Sequence, residues 1–167
     1  MSLPDFDSEA MLLGKGSFGD VYQSSDGQLA IKTYQNLQEG LHETHILKQL
    51  AYDQSLPVPL LTGSLQTNNH CLKMHSYYYY NSETDTWLYQ KEGETGQVVR
   101  QNMKWKDKMV LINMPRYKSS LCDLQHGLNM PLDQFLFALF RNYYSIYHNF
   151  IIHGDIKPSN ITFNKDE

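Results

Sequence analysis

Cysteine is scarce in this chain: Cys71 and Cys122 are the only two among 167 residues. Two thiols build neither a disulfide framework nor a four-ligand zinc site, so the expectation is a reducing compartment, the cytoplasm. Long apolar runs are missing too. No stretch approaches the ~18 consecutive apolar residues of a membrane span. The opening MSLPDFDSEA lacks the basic region and apolar stretch of a secretory signal. Positive charge is not in excess either, with 14 Lys and Arg against 18 Asp and Glu and a formal net charge of −4. That balance argues against nucleic acid or an anionic membrane as the main partner. What is present is ordinary: 41% hydrophobic and 19% charged residues, a globular composition that excludes disorder over most of the length. The length suits one domain with a proper core, or one and a half lobes of something larger.

The segment MLLGKGSFGDVYQSSDGQLAIKTY spells three short strands, Met11 to Leu13, Val21 to Gln23 and Leu29 to Thr33. Ser25-Asp26-Gly27 is a tight-turn signal between the last two. Between the first two, Gly14, Gly16 and Gly19 fall at G-x-G-x-x-G spacing, with Ser17 and Phe18 inside the loop. In a dinucleotide-binding fold that motif opens a helix, whereas here a strand follows it. Glycines in such a loop let backbone N–H groups approach a phosphate with no Cβ in the way. For the loop alone, a ligand-free glycine-rich hairpin explains the spacing equally well.

On a period of two, Ala30 and Lys32 share one face of the third strand. A lysine inside an apolar strand, beside a small alanine, is not a solvated-face pattern. NLQEGLHETHILKQLAY follows, with Leu37, Leu41, Ile46, Leu47 and Leu50 at helical spacing and Glu43 in the middle. Alone, Glu43 reads as an exposed helix carboxylate. Glu39 stands next to Gly40, which weakens the helix there. Pro57 and Pro59 break the helix. A turn at Thr67-Asn68-Asn69 leads to a strand around Cys71 to His75.

The segment 77–108 opens with four tyrosines and is far longer than the usual ~4–6 residue connection. Glu92-Gly93 and Thr95-Gly96 mark turns in it, and Trp87 to Gln90 with Gln97 to Arg100 form an added hairpin. Its tyrosines have two readings, a surface for a protein partner or packing along extended strands with wet hydroxyls. Lys108 to Met114 is a strong strand signal, and Pro115-Arg116-Tyr117 turns out of it. Ser119 to Gln125 suggest a short helix closing at Gly127. Pro131 starts a long helix with Leu132, Phe135, Leu136, Leu139, Tyr143, Ile146 and Tyr147 on a wide apolar face.

HGDIKPSN, residues 153–160, resembles the catalytic loop H-R-D-x-K-x-x-N of eukaryotic-type protein kinases, and the upstream motifs stand in that family's order from Met11 to Phe163. The resemblance implies an α+β, kinase-like fold. Residues 1–114 would form an amino-terminal lobe, an antiparallel sheet with one regulatory helix and an insertion at about 77–108. Residues 115–118 would be the hinge, and 119–167 the start of a helical carboxy-terminal lobe, with Ile161 to Phe163 a strand after the loop. It also implies a site for ATP and Mg2+. Gly14, Gly16, Ser17, Phe18 and Gly19 would cover the phosphates, and Val21 and Ala30 would leave room for adenine. Lys32 would pair with the α- and β-phosphates and Glu43 would orient it. Met114 would back the adenine pocket, read by the carbonyl of Pro115 and the N–H and carbonyl of Tyr117. Asp155 would accept the proton of the substrate hydroxyl, Lys157 would neutralise the transferring phosphoryl and Asn160 would hold magnesium.

The implied activity is phosphoryl transfer from Mg-ATP to a serine or threonine of a protein substrate, and Lys157, Pro158 and Ser159 match the serine/threonine form of the loop. Gly154 departs from the family, standing where many members carry an arginine that clamps a phosphorylated activation loop. H-G-D also occurs in phosphotransferases resembling those for aminoglycosides and choline, which usually lack the lysine two residues on. The family's D-F-G aspartate falls, by its spacing, beyond Glu167. The chain therefore reads as a fragment of a longer kinase, acting in the cytoplasm, or in the host's if a pathogen makes it. The alternative is a short kinase-like binding or inhibitory module.

Overall fold

The structure, a computed structural model, describes residues 10–16, 19–51, 66–67, 74–91, 93–99, 105–116, 119–120, 122, 131–148, 150 and 161–163. The chain divides into two units, one of Met1–Ile46 and Lys73–Arg116, the other of Leu47–Leu72 and Tyr117–Glu167.

The first unit is built on a seven-stranded antiparallel sheet. Its strands are β1 (Met11–Lys15), β2 (Asp20–Gln23), β3 (Leu29–Tyr34), β5 (Ser76–Asn81), β6 (Thr86–Lys91), β7 (Glu94–Val99) and β8 (Val110–Pro115). Their spatial order is β1-β2-β3-β8-β5-β6-β7, so the last strand in sequence lies at the centre. Helix α1 (Leu37–Ala51) follows β3. Asn36 caps it: its Oδ1 accepts from the N–H of Gln38 at 2.9 Å and of Glu39 at 3.2 Å, satisfying two donors that the first helical turn leaves open.

The pleat sorts the side chains into two faces. Ladder partners Tyr22 and Ile31, then Leu111, Tyr78 and Tyr89, then Tyr80, Trp87 and Val98 share one of them. With Ala10 and Trp105 these residues form the core cluster. The rings meet at angles: Tyr78 and Tyr89 are 5.0 Å apart by centroid, and Tyr80 and Trp87 are 5.9 Å apart and edge-on. Such pairs add ~0.5–1.5 kcal/mol beyond the area they bury. Val21, Ala30, Lys32, Ile112, Met114, Val110 and Tyr77 belong to the opposite face, on which Gly40 of α1 packs against Val110.

Several expectations are corrected here. Of the strand expected around 71–75, residues 71–73 lie outside the described residues and residues 74–75 have no regular structure; the next strand begins at Ser76. The tyrosine run is itself the strand. Tyr77 and Tyr78 are buried on opposite faces and Tyr79 and Tyr80 are half-buried, because both faces of the sheet are covered there. Thr95-Gly96 is no turn: it lies inside β7, and the hairpin closes where Lys91 pairs with Glu94, with Gly93 at a φ of 75°. The added hairpin extends the sheet as β6 and β7.

In the second unit, β4 (Gln66–Thr67), β9 (Ser119–Ser120) and β10 (Ile161–Phe163) form a small sheet in the order β4-β10-β9. Ser119 and Ser120 pair with Phe163 and Thr162, which replaces the helical start expected there; Cys122 lies in a helical turn, and the rest of the expected helix, residues 121 and 123–125, lies outside the described residues. Thr67 is likewise a strand residue, paired with Ile161. Helix α2 (Leu132–His148) matches the long helix expected from Pro131. Its covered stripe is narrower than expected: Phe135, Leu139 and Tyr143 are half-buried, whereas Leu132, Leu136 and Tyr147 are exposed. Among the described residues no helix is long and apolar enough to cross a membrane.

Candidate functional site

Lys32 sits in the middle of β3, opposite Val21 on one side and Ile112 on the other. Residue pairs directly across an antiparallel ladder share a face, so Val21, Lys32 and Ile112 form one row. Ala30 and Met114 form the next row of the same face. Ile112 and Met114 are buried, Val21 and Ala30 half-buried. Lys32 itself is 7% exposed, and an ammonium so withdrawn from water needs a counter-charge.

Glu43 supplies it. The Lys32 Nζ lies 2.8 Å from Oε1 and 2.9 Å from Oε2 of Glu43, a two-oxygen contact across 11 positions of sequence. The helix places the carboxylate: Gly40, one turn earlier, lets α1 settle on the sheet, since a Cβ there would stand 2.5 Å from the Cβ of Val110. The ring of Tyr34 adds a further contact to the ammonium, 5.3 Å from its centroid. Burial pushes the Glu43 carboxyl above its ordinary range, and the charge and hydrogen bonds of Lys32 draw it partly back. Ion pairs withdrawn from water contribute little to stability against an apolar alternative.

The glycine loop joins β1 to β2 at the edge of the sheet. The N–H of Gly16 donates to the carbonyl of Gly19 at 2.9 Å, closing the loop on itself. Gly19 is required by close approach: a Cβ there would stand 1.7 Å from the backbone oxygen of Thr33. Gly14 is different, since a Cβ there would meet no atom within 4 Å. Packing explains the glycine at 19; the one at 14, expected in the loop, lies inside β1 opposite Val21, beside a register shift between Leu12 and Gly14 where a glycine is at home.

Met114 ends the buried part of β8, and Pro115 lies opposite Leu29. The neighbouring bond, from the N–H of Arg116 to the carbonyl of Gln28 at 3.1 Å, makes 28 and 116 a hydrogen-bonded pair. Pairs alternate along an antiparallel ladder, so 29 and 115 form a non-bonded pair and the Pro115 carbonyl points away from β3. Proline is accommodated there because β3 asks for no N–H at that position.

Ser17, Phe18, Tyr117 and the whole catalytic-loop stretch 153–160, with Asp155, Lys157 and Asn160, lie outside the described residues. Among the described residues no group of three or more His, Cys, Asp or Glu stands close enough to hold a metal ion. A shallow hollow of about 330 Å3 lies elsewhere, on β5, β6 and β7, lined by Tyr79, Leu88, Gln90, Thr95 and Gln97 and by no charged side chain.

Sequence reasoning missed Asp20, Tyr34 and Lys108. Lys108 closes the charged run KWKDK and carries no pattern of burial, yet it is 4% exposed and its Nζ bonds the Asp20 carboxylate at 3.1 Å. A partner 88 positions away leaves no local signal. No family model matches the chain, nor does any curated protein or solved structure searched.

Proposed function

We propose that the chain carries the nucleotide-binding part of an ATP- and magnesium-dependent protein kinase that acts on serine or threonine. The carrying observation is the Lys32–Glu43 pair, withdrawn from water on a sheet face that also holds Val21, Ala30 and Met114. A strand lysine fixed by a helix carboxylate is what an anionic ligand needs when its phosphates must be held in one place. The small side chain of Ala30 supports a flat apolar ligand beside it. Gly14, whose missing side chain leaves open space, supports a phosphate approaching the loop backbone.

Mg-ATP, when bound, supplies the phosphoryl group. In this reading Lys32 binds and orients the α- and β-phosphates, and the carbonyl of Pro115, which points away from β3, accepts from adenine. Asn160 would hold the magnesium ion, and Asp155 would take the proton of the acceptor hydroxyl, on the resemblance of HGDIKPSN to the kinase loop.

Thermal melting with Mg-ATP tests the binding step. At ~100 times the dissociation constant the ligand adds about 2.7 kcal/mol to stability, a clear rise in Tm. Lys32→Met should abolish that rise. An unchanged Tm at millimolar Mg-ATP in the wild-type chain would refute the reading. Transfer is tested separately with radiolabelled ATP in a protein extended past Glu167 far enough to carry the metal aspartate: the extended wild type should transfer phosphate, and Asp155→Asn should bind nucleotide like it and transfer nothing. A kinase-like module that only binds would give the melting shift and no transfer in either protein.

A further inference from the structure

We infer that Lys108 is a positioning residue for the glycine loop, and that the segment Trp105–Lys108 is a strap laid across the back of β2. The inference rests on the nucleotide reading above and assigns to the end of the inserted segment a part in that same site.

Asp20 and Tyr22 alternate with Val21 along β2, so their side chains belong to the face opposite Val21 and Lys32. Trp105 and Lys108 meet them there. Trp105 is fully buried and stands edge-on to the ring of Tyr22, with centroids 5.1 Å apart and planes at 87°. Lys108 reaches the Asp20 carboxylate at 3.1 Å. The strap is braced by backbone bonds, from the N–H of Lys108 to the carbonyl of Trp105 at 3.0 Å and from the N–H of Met109 to the carbonyl of Tyr34 at 2.7 Å.

Asp20 is the first residue after Gly19, so it is the foot of the glycine loop. Its carbonyl already accepts the Thr33 hydroxyl at 2.9 Å, and Gly19 lies hard against the Thr33 carbonyl. These contacts come from β3. Lys108 adds a hold from another part of the chain, and it is electrostatic as well as mechanical. A carboxylate at the foot of a loop that receives a polyphosphate repels it unless a cation cancels the charge. Removing the lysine takes away the cation bonded to that carboxylate, leaving only Lys15 across the β1–β2 ladder, and unfastens the loop foot. The phosphate end of the ligand feels both effects; the adenine end feels neither.

The test is titration calorimetry on the full 167-residue chain with Mg-ATP and, separately, with adenosine. Lys108→Met should lose about tenfold or more in ATP affinity and keep adenosine affinity within about twofold. Lys108→Arg should restore most of the loss, since the charge and reach survive. Lys108→Met combined with Asp20→Asn removes the buried lysine together with the carboxylate it bonds, leaving only the exposed Asp107 carboxylate without it, and should recover part of the ATP affinity. Unchanged ATP affinity in Lys108→Met, or an equal loss for ATP and adenosine, would overturn the inference. A wild-type chain that binds neither ligand condemns the nucleotide reading instead. In that case amide exchange at Asp20–Gln23 decides on the strap alone: faster exchange in Lys108→Met supports it, and unchanged exchange overturns it.

Discussion

Gly40 of α1 and Val110 of β8 are in such close contact that a Cβ added to the glycine would lie 2.5 Å from both the Cβ and a γ-methyl of the valine. The glycine stands inside a helix, where alanine is ordinarily better by about 1 kcal/mol. Contact with a fully buried branched side chain reverses that preference.

Gly40→Ala should therefore destabilise the protein by ~1–3 kcal/mol, the cost of overpacking a closed core. In a Val110→Ala background the clash with the γ-methyls is gone while the one with the Cβ stays, so the cost of the same substitution should shrink. Urea unfolding of the four proteins of this double-mutant cycle measures the coupling, and additive effects would contradict the contact. Because Glu43 lies one turn on from Gly40, the single variant should also weaken nucleotide binding.

Gly14 of β1 and Gly19 at the loop's end separate in the same way. Gly19→Ala forces a Cβ against a backbone oxygen, which cannot swing aside, so a loss of several °C in Tm is expected. Gly14→Ala meets open space and should leave Tm nearly unchanged while lowering nucleotide affinity. A Gly14→Ala protein that melts as early as Gly19→Ala would contradict the geometry.

Glu43 makes stability depend on pH with a definite sign. Its folded carboxyl titrates above the ordinary 4.5, chiefly because burial disfavours the charge. Between 4.5 and that raised value the native state holds a proton that the unfolded chain has released. Stability contributed by this group is present below 4.5 and is lost as pH rises through the folded pKa. Denaturation curves at stepped pH should show the wild type losing ground relative to Glu43→Gln as pH rises through this window. A difference that runs the other way would show that Lys32 outweighs burial.

Trp87 tests whether the inserted hairpin belongs to the main core. It is fully buried beside Tyr80 and Val98, and Trp87→Ala should cost ~3–5 kcal/mol. The variant should still unfold in one transition when followed by both tryptophan fluorescence and circular dichroism. A separate early transition confined to β6 and β7 would mean that the hairpin folds on its own.

The elements with a clean period were legible from the residues. Leu29 to Thr33 alternate, the residues after Asn36 follow a helical spacing, and Lys108 to Met114 are strand-like around Val110, Leu111 and Ile112; each became the element expected, within a residue or two. Lys32 was legible because a lysine inside an apolar strand is out of place; Glu43, which alone reads as an exposed carboxylate, was tied to it only through the resemblance. The start of β5 was not, since four consecutive tyrosines carry no alternation when both faces of a strand are covered. Glu92-Gly93 and Thr95-Gly96 offered competing turns, and only pairing of Lys91 with Glu94 decides between them. Ser119 and Ser120 take their strand conformation from Thr162 and Phe163, and the burial of Lys108 comes from Asp20; such distant partners leave no mark on the residues beside them.

The central position of β8 has a kinetic consequence. Its neighbours β3 and β5 both precede it, and its ladder joins Ala30 to Met114 and Tyr77 to Ile112. The hairpins β1-β2-β3 and β5-β6-β7 close through short loops and can form early, whereas the joining strand must close much larger loops. Until it arrives, β3 and β5 each present an open row of backbone donors and acceptors, the template on which strands from other chains add. A ribosome-bound chain is in that state until residues 110–115 have emerged, so refolding should be slow and sensitive to protein concentration, with aggregation falling once β8 is in place.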